Sequence, residues 1–124
     1  MEEIKNFFFD TYALFEIVHK NKNYFNYLKS GIVTTSLNIM ELHYRLLSLY
    51  GRKVADIAFN RFLPFAVEIS NEVIKESNEF KFLNKKKRLS YIDCVGYVIS
   101  RKMNIRFLTG DKEFEKIEGV EFVK

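Results

Sequence analysis

The chain has 124 residues, of which 48% are hydrophobic and 16% aromatic, and its formal net charge of +4 is mildly basic. We expect one compact domain spanning residues 1–124, because this length supports a sizeable core and leaves no room for a second domain. The single cysteine, Cys94, excludes an internal disulfide and, with only two histidines, a cysteine–histidine zinc site. The sequence shows no signal peptide and no apolar run of the roughly 18 residues that a membrane span needs, so we expect a cytoplasmic protein with no membrane partner.

Short apolar runs alternate with longer segments of helical period, which predicts an α/β fold. The predicted strands cover residues 4–9, 32–34, 65–69, 105–108 and 120–123. The predicted helices cover residues 12–29 with a break near 21–23, then 36–50, 52–63, 71–82 and 91–102, and a short helix follows Asp111. Most of the strands are too continuously apolar to have one face in water, so they predict a parallel sheet covered on both sides.

Two acidic residues stand at the ends of predicted strands. Asp10 follows the first strand in "FFFDTY", and Asp111 follows the fourth in "FLTGD". In open α/β sheets the functional crevice lies beyond the carboxyl ends of the strands. We therefore expect both carboxylates at one edge of the sheet.

Two further acidic residues lie on predicted helices. The segment "SLNIMELHYRLLSLY" predicts a mostly buried helix with one polar stripe, formed by Asn38, Glu41, Arg45 and Ser48. In "LSYIDCVGYVISRK", Asp93 lies away from the apolar row and on the same side as Gly96, which predicts open space beside its carboxylate.

Each acid also has a purely structural explanation. The two acids at the strand ends match helix N-caps or turn residues. Glu41 has the i,i+4 spacing for an ion pair with Arg45, and Ser90 with Asp93 matches a capping box. A convergent set is harder to explain in this way. A cap contributes about 1 kcal/mol, whereas two like charges about 4 Å apart repel by about 4 kcal/mol at an effective dielectric of about 20.

A divalent cation would turn that repulsion into attraction. Carboxylates without histidine or thiolate among them suit Mg²⁺ or Mn²⁺, which prefer oxygen ligands and often complete their shell with water and substrate phosphates. One or two such ions would activate a water and stabilise the leaving oxygen of a phosphodiester. The pattern thus indicates metal-dependent phosphodiester cleavage.

The sequence resembles the PIN domain family, and within it the small VapC-like toxins, along the whole chain. The motifs "FFFDTYAL", "TTSLNIMEL", "LSYIDCVGYV" and "FLTGDKEF" occur in the family's order. The resemblance implies a three-layer α/β/α domain whose five-stranded parallel sheet has the order 3-2-1-4-5. It also implies divalent-metal-dependent hydrolysis of RNA, and the family's catalytic, metal-binding acids correspond to Asp10, Glu41, Asp93 and Asp111.

The resemblance extends to the residues around these acids. Thr11 and Thr109 correspond to the hydroxyl residues beside the first and the last acid, and we expect them, together with Ser90, to support the carboxylates. The last motif departs from the family, because Glu113 stands where many members have a further aspartate. Glu113 is therefore only an auxiliary candidate for metal binding.

The family resemblance implies three partners: an RNA substrate, a cognate antitoxin that covers the acidic crevice, and a second copy of the chain that binds through the apolar helices. Two alternatives remain open. The first is an RNA-processing nuclease that is not a toxin, and the second is a non-catalytic interaction module on the same fold. A response to metal separates the second alternative from a nuclease.

A basic segment leads directly into the motif of Asp93, and it consists of Lys85, Lys86, Lys87 and Arg88. Such runs are common in solvated loops, but this position predicts contacts to RNA phosphates. Tyr91 and Tyr97 are candidates for stacking on bases, although aromatic residues at helical spacing more often belong to a core.

Two other classes of acid-rich α/β protein do not fit. A phosphoacceptor signalling domain needs an aspartate at the end of its middle strand, and the chain has none between Asp56 and Asp93. A phosphatase of the haloacid dehalogenase kind needs a second aspartate two positions after Asp10, where this chain has Tyr12.

Overall fold

The computed structural model describes residues 4–124 as a parallel sheet with helices on both faces. The strands are β1 (Asn6–Phe9), β2 (Gly31–Val33), β3 (Arg106–Thr109) and β4 (Val120–Phe122), and their order in the sheet is β2-β1-β3-β4. The helices are α1 (Thr11–Val18), α2 (Ser36–Tyr50), α3 (Arg52–Phe62), α4 (Asn71–Leu83) and α5 (Tyr91–Lys102). Short 3-10 helices cover Lys22–Lys29, Leu63–Phe65 and Lys112–Phe114. The predicted α/β fold with a covered parallel sheet is confirmed.

The prediction of a fifth strand at residues 65–69 is wrong. Within residues 4–124 the sheet has four strands, and this segment forms one isolated parallel bridge, between Thr34 and Ala66. Two backbone hydrogen bonds flank the bridge: Thr34 donates to the Phe65 carbonyl (3.1 Å), and Val67 donates to the Thr34 carbonyl (2.9 Å). The pairing ends there because Thr35 caps α2 and the chain enters the helix at Ser36. In the predicted order 3-2-1-4-5, the outermost strand beside β2 is therefore reduced to this single bridge.

Strand β1 separates two hydrophobic cores. Phe8 and Phe9 are both fully buried and, as neighbours on a strand, point to opposite faces of the sheet. Phe9 and Leu108 belong to the core with α1, α2 and α3, whereas Phe8 and Phe107 belong to the core with α4 and α5. Each buried side chain of this size contributes about 1.5–3 kcal/mol relative to an exposed one. The end of β1, where Asp10 follows, is therefore fixed from both sides.

Local capping residues set the starts of the helices. The hydroxyl groups of Thr35, Ser70 and Ser90 each accept a backbone N–H in the first turn of α2, α4 and α5. The predicted break near residues 21–23 is confirmed, because Asn21 caps the 3-10 helix Lys22–Lys29. Gly51 has a φ of 91°, a conformation that favours glycine, and it ends α2 directly before α3.

The prediction that α2 is mostly buried is wrong. Its buried residues are Asn38, Ile39, Leu42 and Leu46. Its exposed large apolar residues are Met40, Tyr44, Leu47, Leu49 and Tyr50. The helix lies on the outside of the sheet and packs mainly against α3, so only one stripe of it is covered. No helix within residues 4–124 has both the length and the apolar character to span a membrane.

Gly96 does not leave open space on α5, contrary to the prediction. A Cβ atom at this position would lie 2.6 Å from Cε1 of Phe8 and 3.1 Å from Cε1 of Phe107. The absence of a side chain therefore lets α5 pack closely on β1 and β3. This close packing fixes the helix that carries Asp93.

Candidate active site

The four predicted acids lie around one open cavity beyond the carboxyl ends of β1 and β3. The cavity has a volume of about 850 Å³, and its lining includes Asp10, Glu41, Asp93 and Asp111 together with Thr11. Three different kinds of position contribute: two strand ends, the second turn of α2 and the first turn of α5. Asp10 and Asp111, which are 101 positions apart in the sequence, thus line the same cavity.

Asp10 is the most deeply buried of these acids. Its side chain is 3% exposed, and its Oδ1 accepts the Ala13 backbone N–H at 2.9 Å, so it also caps α1. Burial is the main cause that raises the pKa of Asp10 to about 8. Hydrogen bonds from Thr109 and Ala13 lower this pKa, and the nearby Asp93 and Asp111 raise it further. A cation beside Asp10 would supply the stabilisation that its charged form lacks.

Asp93 is held by the predicted capping box. Its Oδ2 accepts the Ser90 backbone N–H at 2.9 Å, and its own N–H donates to the Ser90 hydroxyl at 3.0 Å. Burial raises the pKa of Asp93, hydrogen bonds from Ser90 lower it, and Asp111 and Glu41 raise it. Ser90 is therefore the residue that fixes this carboxylate.

Glu41 is oriented by a chain of polar contacts from α1. The Thr11 hydroxyl donates to Glu41 Oε1 at 2.6 Å, and the Asn38 side-chain amide donates to Thr11 at 3.2 Å. Thr35 in turn donates to Asn38 at 2.6 Å. The i,i+4 spacing of Glu41 and Arg45 predicts an ion pair between them. The ion pairs within residues 4–124 do not include this one.

Asp111 stands on a tight turn after β3. Its N–H donates to the Thr109 hydroxyl at 3.1 Å, and its Oδ1 accepts the Glu113 backbone N–H at 3.0 Å. Thr109 is fully buried, so it connects the end of the strand to Asp10 and Asp111. Glu113 itself is not among the described residues that line the cavity.

The basic segment lies beside this turn. Lys85, Lys86, Lys87 and Arg88 are all exposed after α4, and Lys87 Nζ donates to the Glu113 carbonyl at 3.4 Å. A second cavity, of about 390 Å³, is lined by Lys85 and Lys87 together with Lys81, Phe82, Tyr91 and Asn78. No acidic side chain is among the described residues of this lining, so the groove is cationic.

The aromatic and thiol groups of α5 divide between surface and core. Tyr91 is 64% exposed, whereas Tyr97 is 8% exposed, stacks on Phe80 and donates to the Glu118 carbonyl. Tyr97 is therefore not accessible to a base. Cys94 is buried as predicted, and burial raises the pKa of its thiol to about 11, which makes it a poor nucleophile.

Six further residues line the acidic cavity and were not predicted as site residues from the sequence. These residues, which form the second wall of the cavity, are Tyr12, Met40, Tyr44, Arg45, Ser48 and Leu49. The polar stripe on α2 already carried the signal, because Arg45 and Ser48 follow Glu41 at helical spacing. Three of the four residues of this stripe, Glu41, Arg45 and Ser48, line the cavity.

The donor set of the cavity fits a hard divalent cation in its chemistry, since every candidate ligand is an oxygen. Within residues 4–124, no three acidic, histidine or cysteine side chains are arranged so that they could hold one metal ion. The arrangement therefore suits an ion that takes one or two carboxylates directly and keeps several waters, as Mg²⁺ commonly does.

Solved structures of VapC toxins have the same fold. The VapC20 toxin of Mycobacterium tuberculosis, which cleaves the sarcin-ricin loop, gives a TM-score of 0.79 at 16% identity and covers 95% of this chain and 99% of its own. VapBC2 of Rickettsia felis, bound to a promoter DNA fragment, gives a TM-score of 0.74 at 16% identity. The match covers 96% of this chain and 99% of the Rickettsia chain. DNA-bound VapBC of Salmonella typhimurium gives a TM-score of 0.69 at 19% identity, and the match covers 97% of each chain.

A search of curated protein sequences finds no significant match. The sequence model of the PIN domain family, by contrast, matches residues 7–120, a range that includes all four acids. The resemblance found in the four motifs is thereby confirmed, and the chain belongs to the PIN domain family.

Proposed function

We propose that the protein is a divalent-metal-dependent endoribonuclease and the toxin component of a VapBC-type toxin–antitoxin pair. The observation that carries the proposal is the grouping of Asp10, Glu41, Asp93 and Asp111 around one open cavity. Membership of the PIN domain family and a fold shared with VapC toxins, one of which cleaves RNA of the sarcin-ricin loop, support the same activity.

In this proposal the four acids would hold Mg²⁺ or Mn²⁺ at the cavity, one or two of them directly and the others through bound water, and the ion would attract the scissile phosphate. Asp10 and Asp93 gain most from a cation, because burial raises the pKa of both. Thr11, Ser90 and Thr109 keep the carboxylates in place. When bound, the ion supplies Lewis acidity, which lowers the pKa of water and offsets phosphate charge. The proposed nucleophile is water, and no side-chain nucleophile is proposed.

The basic segment and the cationic groove beside it are proposed to bind the RNA strand. Lys85, Lys86, Lys87 and Arg88 would contact phosphates, in a salt-dependent manner. The contact between Lys87 and the Glu113 carbonyl places this segment next to the turn that carries Asp111. Glu113 stays an auxiliary candidate that would need to turn toward the cavity.

Two protein partners belong to the proposal. An antitoxin would cover the acidic cavity and place a basic side chain in it, as complementary charge requires. The VapBC complexes of similar fold support such a partner. A second copy of the chain would bind through the exposed apolar residues of α2 and α3 that do not line the cavity, such as Leu47 and Ile57. The buried free thiol suits the reducing cytoplasm.

One observation supports a second candidate function. Because residues 4–124 contain no ready three-ligand group, a non-catalytic interaction module on the same fold remains the alternative. An RNA-processing nuclease outside a toxin–antitoxin pair would use the same site with other partners.

The activity is tested with Asp93→Asn on a pool of single-stranded RNA of random sequence, with Mg²⁺, Mn²⁺ or EDTA. We expect cleavage by the wild type only with metal, and a loss of about 100-fold or more in the variant, because residues that merely orient metal ligands already change activity by about 10- to 100-fold.

The matched control is Asp56→Asn, whose carboxylate lies on α3 and pairs with His43 at 2.7 Å, away from the cavity. This variant should cleave like the wild type. Full activity in folded Asp93→Asn would contradict the assignment.

A further inference from the structure

Arg45 is a cation in the wall of an otherwise acidic cavity. It lines the same space as the four carboxylates, and its side chain is exposed. Within residues 4–124, its guanidinium takes part in none of the ion pairs and none of the side-chain hydrogen bonds. Its charge is therefore available to a ligand.

Arg45 is also held in place without using its donors. Its Cζ lies 3.8 Å from the centre of the Phe15 ring, and Phe15 is buried at 7% exposure. Stacking on an aromatic face restrains the plane of a guanidinium and leaves the N–H groups at its edge free. A restrained guanidinium edge matches two phosphate oxygens, which is the geometry of a bidentate contact.

An acidic wall by itself repels a polyanion. Metal at the carboxylates offsets this repulsion at one phosphate, and the neighbouring phosphates of a strand need fixed cations of their own. The exposed aromatic ring of Tyr44, at 72% exposure, lies on the same wall as Arg45, so a nucleotide bound there would find a π-face near the cation.

We propose that Arg45 binds a phosphate of the RNA strand adjacent to the scissile one and holds the strand against the acidic wall. The assignment rests on the proposed function for the identity of the polyanion. It differs from the role of the basic segment after α4, because Arg45 lies inside the cavity on α2.

The test measures binding of a fluorescein-labelled single-stranded oligouridylate by anisotropy over a range of salt concentrations, with Mn²⁺ present. Every variant is made in an Asp93→Asn parent protein, so that the strand stays intact. Arg45→Ala should weaken binding about 10-fold, the effect of one charge-assisted hydrogen-bonded contact. The slope of log affinity against log salt should fall by about 0.7, the value for one phosphate contact to a single strand. Arg45→Lys should keep the slope and lose part of the affinity, because an ammonium cannot bind in the bidentate mode.

Arg61 offers a matched control. It is an exposed arginine whose Cζ lies 5.1 Å from the Phe62 ring centre, and it does not line the cavity. Arg61→Ala removes the same charge and the same kind of stacking, so a change of less than about twofold is expected once salt screens distant charges. Thermal unfolding of every variant checks that folding is retained.

Three results would overturn the assignment: unchanged binding after Arg45→Ala, equal losses in the two alanine variants, or no binding by the Asp93→Asn parent protein with Mn²⁺ at low salt. Cleavage by the wild type with Mn²⁺ is measured separately. Loss of binding specific to Arg45→Ala, without cleavage, would contradict the nuclease and leave the phosphate contact standing. Cleavage with normal binding by Arg45→Ala would contradict only the phosphate contact.

Discussion

The three aspartates of the cavity each perform a local structural task. Asp10 and Asp111 accept a backbone N–H with Oδ1, and Asp93 does so with Oδ2. A carboxylate has two oxygens, so a capping contact that fixes one of them leaves the other for a ligand. Capping and metal binding, which the sequence presented as alternatives, are therefore compatible at the same residue. A cap also gives a metal ligand the rigid position that it needs.

The raised pKa of Asp10 predicts how stability depends on pH in the metal-free protein. The folded protein holds the Asp10 proton up to about pH 8, whereas the ordinary value is 3.8. This contribution to stability is fully present below about pH 4 and is lost as pH rises toward about 8, because the unfolded chain ionises first. Wild type in EDTA should lose a few kcal/mol over this window, at about 1.4 kcal/mol per pKa unit.

Urea denaturation of wild type and Asp10→Asn at several pH values measures this effect. The variant lacks the Asp10 titration and should show a flatter profile, with a remaining slope from Asp93, whose pKa is also raised. Parallel profiles of the two proteins would mean that Asp10 ionises normally in the folded state.

Helix starts were predictable because their signals are local. The bounds of α2 and α5 agree with the prediction, since Thr35 and Ser90 cap the first turns from positions directly before them. Features that depend on distant partners were not predictable. The partner of Glu41 is Thr11 from α1, not the neighbouring Arg45. The segment after Pro64 forms only the bridge to Thr34, because the chain enters α2 at Ser36.

The capping box of α5 predicts that Ser90 matters for function as well as for stability. Ser90→Ala should lower the free energy of unfolding by about 1 kcal/mol. It should also weaken Mn²⁺ binding, because the first turn of α5 around Asp93 loses its hydroxyl contact and keeps only the backbone N–H bond to the carboxylate. Ser70→Ala is the control, since Ser70 caps α4 by the same kind of bond, to Val73 at 3.1 Å, and does not line the cavity.

Chemical denaturation and calorimetric titration with Mn²⁺ measure the two effects. The control variant should lose similar stability and keep wild-type metal affinity. Equal metal affinity in Ser90→Ala and Ser70→Ala would show that the capping box serves only the helix.

At the scale of the whole molecule, four separate chain segments form one cavity because β1 and β3 are central neighbours in the sheet. The rule that parallel strands present their carboxyl ends at one edge predicted the meeting of Asp10 and Asp111. No sequence pattern predicted that α2 would expose so much apolar surface, since periodicity shows an apolar residue but not what covers it. The exposed apolar residues of α2 and α3 outside the cavity, among them Leu47 and Ile57, are the surface on which we place the second copy.

The proposed dimer predicts a specific response to charge on α3. Ile57 is 61% exposed, and Ile57→Asp should shift the chain from dimer to monomer in sedimentation velocity, because an unpaired carboxylate in an apolar interface is strongly unfavourable. Ile74 on α4 is 47% exposed and provides the control, so Ile74→Asp should sediment like the wild type. A wild-type monomer at all concentrations, or a dimer in both variants, would contradict this interface.

We propose that the acids of the cavity bind a divalent cation, and thermal unfolding with and without Mn²⁺ measures this binding without a choice of RNA. A ligand that binds only the folded state stabilises it by about 2.7 kcal/mol at a concentration of 100 times its Kd. The wild type should therefore gain several degrees in Tm beyond a control of equal ionic strength, at about 4–8 °C per kcal/mol at most for a small domain. Asp10→Asn should be more stable than the wild type in EDTA at pH 8 and lose most of the gain with Mn²⁺, while Asp56→Asn should respond fully. A wild type that does not respond to Mn²⁺, or an equal response in Asp10→Asn, would contradict the metal site.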